Sequence, residues 1–125
     1  MPFINDEVFD QGLDYADTNG TRVDIVQTAE PSSYALATTD GNNSLGNKTG
    51  LNTGATQNGA TDGRRVIVPA ITDGSVTETG TAAHWGLTDG SSILVAAGGL
   101  SSSQGVTDGN IFTLDAISIT IRDAA

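Results

Sequence analysis

Between Asn5 and Asp17 the apolar residues Phe9, Leu13 and Ala16 recur at helical spacing, with Val8 beside them. Steps of three and four place such side chains on one face of a helix, and Asp6 and Glu7 suit the positive end of its dipole. The pattern predicts one amphipathic helix over 5–17, capped by Asn5 or Asp6 and ended by Asn19-Gly20. So short a helix is marginal alone in water, so it must dock, either on its own β core or on a neighbouring subunit. Beyond it the pattern becomes that of strands. Arg22–Gln27 has Val23 and Ile25 on one face, Glu30-Pro31-Ser32-Ser33 breaks it, and Tyr34–Ala37 forms a short second element.

The stretch 38–63 is rich in Gly, Asn and Thr, with Leu45 and Leu51 as its only large aliphatics. Such a segment cannot build a core of its own, and it is expected to be an extended surface loop or arm pinned by those two leucines. The main sheet is placed in 64–122. Arg64–Ile71 alternates Val66 and Val68, with Pro69 marking a sheet edge or a strand end. Ser75–Thr79 reads as a surface strand, Ala82–Leu87 as a strand carrying His84 and Trp85, and Ser92–Ala97 as the most apolar strand and the expected centre. Gly98-Gly99 and Ser101-Ser102-Ser103 read as a bend. Ile111–Leu114 then precedes Ile117–Ile121, where isoleucines alternate with Ser118 and Thr120, the pattern of a strand with one buried and one wet face.

The punctuation agrees with strands. Thr-Asp-Gly occurs at 39–41, 61–63, 72–74, 88–90 and 107–109. Asp-Gly favours tight reversals, because both residues tolerate positive φ and the Asp side chain can bond nearby amides. The uneven intervals argue against a solenoid. The fold class predicted is all-β: a small antiparallel β-sandwich or open barrel with one short N-terminal amphipathic helix, in a single domain over 1–125.

Composition narrows the partners. With 16 Gly, no Cys and a formal net charge of −10, the chain has neither disulfides nor thiolate metal sites, and it repels phosphate backbones and anionic membranes. The acidic start lacks the basic and apolar regions of a secretory leader, and no apolar run approaches the roughly 20 residues that span a bilayer. A soluble protein made in the cytoplasm without cleavage is the expectation.

Catalytic chemistry has few candidates. The lone histidine, His84, lies in a predicted strand, and no Gly-x-Ser-x-Gly elbow is present, so it is expected to be a packed or half-exposed structural residue. Nearly every carboxylate falls in a turn, a helix start or a solvated face, unlike a glycosidase pair. Asp17-Thr18-Asn19-Gly20-Thr21 faintly resembles the opening of a calcium loop but lacks its later ligands. Gly50–Gly54 lacks the lysine of a phosphate cradle. No cofactor and no metal are expected. Arg64-Arg65, the one basic cluster, either pairs with local carboxylates or docks on an acidic protein surface, and Trp85 is either a core anchor or part of a subunit interface.

The block from Asp62 to Asp123 has a further property. Its elements Asp62-Gly63-Arg64-Arg65-Val66, Pro69–Val76, Gly80–Leu87, Asp89-Gly90-Ser91, Leu100–Gln104 and Gly109–Leu114, with the amphipathic start, resemble small structural proteins of tailed bacteriophages, of the head decoration (cement) type. The resemblance rests on turn vocabulary rather than on a catalytic signature. It implies a non-enzymatic virion protein on the outer capsid surface, bound to the major capsid protein or other virion subunits. A homo-oligomer, a trimer at capsid threefold positions, would be in keeping. Phe3, Ile4, Val8 and Phe9, with Arg64, Arg65 and Trp85, are the candidate interface residues. The alternatives are a tail, baseplate, fibre or connector part, or a carbohydrate- or calcium-binding adhesion module.

Overall fold

The structure, a computed structural model, describes residues 6–27, 30–39 and 43–122, the first four by backbone alone. Helix α1 (Asp6–Asn19) leads into strand β1 (Arg22–Val26), a one-turn helix α2 (Tyr34–Thr38) and strand β2 (Ser44–Lys48). There follow β3 (Gln57–Asn58), β4 (Arg64–Val68), β5 (Ile71–Val76), β6 (Gly80–Thr88), β7 (Leu94–Val106), β8 (Ile111–Leu114) and β9 (Ile117–Ile121). All pairings are antiparallel. Six strands form a curled half-barrel in the order β7-β6-β1-β2-β5-β8, and a small sheet has the order β3-β4-β9. The predicted fold class, antiparallel β with one short N-terminal helix, is the fold observed.

The small sheet has one apolar face, formed by Val66 and Val68 of β4 with Ile117, Ile119 and Ile121 of β9. The alternation that sequence gives β9 is thus realised, with Ser118 and Thr120 exposed. One end of this face, at Val68 and Ile117, covers the half-barrel core of Val23, Ile25, Leu45, Ile71, Leu87 and Phe112. The other end, at Val66 and Ile121, receives Leu13 and Ala16 of α1, and Val95 and Ile119 touch both clusters. Helix α1 therefore docks on the chain's own β core.

Four expectations need correction. First, 38–63 is not a loop or arm: it contributes β2, which lies inside the half-barrel between β1 and β5 with Leu45 2% exposed. Polar Ser44 and Asn47 are tolerated because the backbone pairs on both sides and Ser44 Oγ donates to Asp24. The six-stranded main sheet consequently draws on β1 and β2 together with 71–114, while β4 and β9, at the two ends of 64–122, belong to the small sheet. Second, the apolar run near Leu94 lies not at the centre but in β7, an edge strand, where Val95 and Ala96 pack against the core while Ile93 is 44% exposed. Third, Gly98–Ser103 is a bend within a strand rather than between two: β7 runs through it, bulged at Leu100–Ser103. Fourth, Thr72-Asp73-Gly74 is no turn but the bulged middle of β5, with Gly74 small because Phe112 lies over it.

Other Asp-Gly pairs behave as predicted. Gly63, Gly90 and Gly109 take φ of +72°, +79° and +89°, in the left-handed region open to glycine. The copy at 39–41 lies partly outside the described residues. At α2, Ser33 caps the helix by accepting from the Leu36 amide, and Gly86 leaves room for Ala37 and Pro31 on the outer side of β6.

Candidate functional site

The half-barrel does not close on itself. Its two edge strands, β7 and β8, face each other across a groove of about 400 Å³, within the size range of ligand sites. One wall is the stretch Gly99–Ser102 with Gln104 on β7, the other is Thr113–Ile117 at the β8–β9 corner, and Trp85 reaches in from β6.

A bulge makes this wall. Ala82 pairs with Gln104 and His84 with Gly99, so β7 takes five residue steps where β6 takes two. The surplus residues, centred on Leu100–Ser103, leave the ladder and line the opening, a common use of bulges beside binding sites. Across the gap Gln104 Nε2 donates to the Thr113 carbonyl at 3.4 Å. This contact is long for a hydrogen bond.

Trp85 is half-buried, packs against the core and lines the groove. Its indole lies against Gly98, its cross-strand partner, where any Cβ would come within 2.9 Å of Nε1. His84 projects to the other face of β6. Its Nδ1 is enclosed and has no hydrogen-bond partner among the described residues. Among the described residues no hydrogen bond joins His84 to a carboxylate or a hydroxyl, as a nucleophilic triad requires.

The remaining candidate residues separate in space. Phe3 and Ile4 lie outside the described residues. Val8 and Phe9 belong to α1, but their side chains lie outside the description. Arg64 holds α1 to the small sheet: Nε and Nη2 donate to the Asp10 carboxylate at 2.8 and 3.3 Å, and Nη1 donates to Asn58 Oδ1 at 2.8 Å. These bonds from Arg64 hold the Asp10 carboxyl below the usual carboxylate range. Arg65 projects from the opposite face, with Nη1 3.5 Å from Ser118 Oγ and Nε enclosed without a partner among the described residues. Arg64, Arg65 and Trp85 thus do not converge on one surface.

Electrostatics are dominated by internal pairing. Arg22 is paired with Asp24, Lys48 with Asp73, Arg64 with Asp10 and Arg122 with Asp62, which engages four of the five basic side chains. At the turn after β6, Asp89 Oδ1 accepts from the amides of Ile93, Ser92 and Ser91, at 3.0, 2.8 and 2.9 Å, and these bonds lower its pKa. The segment compared with a calcium loop is the last turn of α1, where the Gly20 amide donates to the Ala16 carbonyl. Among the described residues no group of three or more His, Asp or Glu is placed to hold a metal ion.

Of the groove residues, Leu100–Gln104 and Thr113 enter the sequence reading only through the bend and the phage-protein resemblance, not as site candidates, and Asp115 does not enter it. Local composition there reads as a serine-rich bend, and only the pairing of β6 with β7 reveals the bulge. The one readable sign is Gly98, whose missing side chain admits the Trp85 ring. Compared with protein-family models, with curated proteins and with solved structures, the chain matches none.

Proposed function

We propose that this chain is a non-enzymatic structural protein of a tailed-phage virion, most specifically a decoration protein of the outer capsid surface. The observation that carries the proposal is the disposition of charge. Four of the five basic side chains are engaged by the chain's own carboxylates, so little cationic surface offsets the formal net charge of −10. Such a surface suits the exterior of a particle whose interior holds nucleic acid, and it opposes binding to phosphate backbones. Support also comes from the likeness of the Asp62–Asp123 block to head decoration proteins, which now maps onto β4 to β9, a rigid frame with exposed turns. On a capsid, many modest contacts repeated by symmetry give avidity.

The test is reconstitution. Purified chain added to phage heads assembled without it is expected to bind at fixed stoichiometry and to raise their melting temperature. Absence of binding refutes the proposal, and a copy number matching the tail or portal vertex rather than the head surface moves the protein to that part of the virion.

A further inference from the structure

We propose that the groove between β7 and the β8–β9 corner is a strand-docking site that takes an extended, cationic segment of a partner polypeptide. This stands on the fold alone and does not depend on the virion assignment.

One wall is the edge strand β7, and the other begins with the edge strand β8 and continues into its corner with β9. Among the described residues β7 pairs with β6 alone and β8 with β5 alone, which leaves one side of each strand open. An edge of this kind is a template for an added strand, which contributes main-chain hydrogen bonds while shallow pockets sort its alternate side chains. The Thr113 carbonyl demonstrates the direction of one such group, since it points across the groove and accepts from Gln104 Nε2. A side-chain amide there occupies the place that a backbone amide of an inserted strand would take. At 3.4 Å the contact is weak enough to be exchanged for a better one.

The lining fits a peptide. Trp85, Leu100, Leu114 and Ile117 offer apolar contact to the inward-facing side chains of a strand, and Gly99 leaves the β7 wall without a side chain. Charge selects the sequence. Asp115 lines the groove, no Lys or Arg does, and the whole chain carries −10. A Lys- or Arg-bearing segment is therefore attracted and an acidic one repelled.

The test uses the purified full chain to select binders from a displayed library of random linear peptides. The chain has a single tryptophan, Trp85, so its fluorescence reports occupancy of this groove by each synthesised peptide. Recovered peptides are expected to be Lys- or Arg-rich and to shift that emission. N-methylation of alternate backbone amides is expected to weaken them about tenfold or more. Ala116→Arg and Asp115→Lys, both at exposed positions of the groove wall, crowd the groove and reverse its charge. Each should weaken binding about tenfold. If one of them fails to fold, the other with a wild-type melting curve carries the test. The proposal is overturned if the wild type enriches no peptide beyond the Ala116→Arg and Asp115→Lys chains, or if binding is indifferent to N-methylation. It is also overturned if neutral saccharides such as galactose or N-acetylglucosamine shift Trp85 emission while no peptide does.

Discussion

Arg22→Met isolates the cost of leaving a buried carboxylate without its cation. Asp24 sits in β1, an interior strand, and its side chain is 0% exposed. Arg22 Nε and Nη2 donate to it at 2.7 and 2.9 Å, and Ser44 Oγ, from the neighbouring strand, donates at 2.7 Å. Methionine keeps most of the apolar stem of Arg22 and removes only the guanidinium. Breaking a buried pair by removing one partner costs about 3–5 kcal/mol, and the 21% exposure of Arg22, which lets water reach the vacated site, selects the lower figure of about 3 kcal/mol. Unfolding entropy near 2.1 cal/mol/K per residue gives the 125-residue chain about 0.26 kcal/mol/K, so the melting temperature should fall by about 11 °C. The control is Arg122→Met, whose pair with Asp62 is 63% and 35% exposed and should contribute under about 1 kcal/mol. Both variants are compared by thermal and urea unfolding. Equal losses from the two substitutions, or an Arg22→Met loss below about 1 kcal/mol, refute the argument that burial sets the value of this pair.

Two further outcomes are expected. A Cβ at Gly74 would overlap the Phe112 ring, so Gly74→Ala should cost about 1–3 kcal/mol in urea unfolding and Phe112→Leu should recover part of it in the double variant. By contrast Gly105→Ala, where nothing lies within 4 Å, should be neutral or stabilising. The folded pKa values of Asp10 and Asp89 lie below the unfolded value of 3.8, so their contribution is complete above that value. As pH falls, the unfolded chain takes up protons first, and this stability drains away until the folded pKa is passed. Asp10→Asn and Asp89→Asn should each flatten the dependence of unfolding free energy on pH below 4, and an unchanged slope in both would contradict the assignments.

What sequence could reveal depended on whether a segment's role is decided locally. Ile117–Ile121 was legible because one of its faces is wet and the other packs, which is a property of the segment itself. Three Asp-Gly turns were legible for the same reason. β2 was not. Ser44-Leu45-Gly46-Asn47-Lys48 has one large aliphatic, and its interior place comes from backbone pairing with β1 and β5 rather than from its side chains. The apolar run near Leu94 misled in the opposite sense: apolar content reports a packed face, as at Val95 and Ala96, and is silent on how many neighbours the backbone has. Of the candidate residues whose side chains are described, Trp85 is the one in the groove, while Arg64 is a clamp on α1. The groove itself is a product of strand order and a register shift, which no window of neighbouring residues encodes.

The order β7-β6-β1-β2-β5-β8 also fixes the timing of assembly. β1 emerges early from the ribosome but waits for β6, whose Leu87 pairs with Val23, and β2 likewise waits for β5. Until then the nascent hairpin of β1 and β2 has two open sides, and a polypeptide with such distant partners folds slowly. Stalling translation between β2 and β5 should leave a protease-sensitive intermediate, and release of the remaining strands should abolish that sensitivity in one cooperative step.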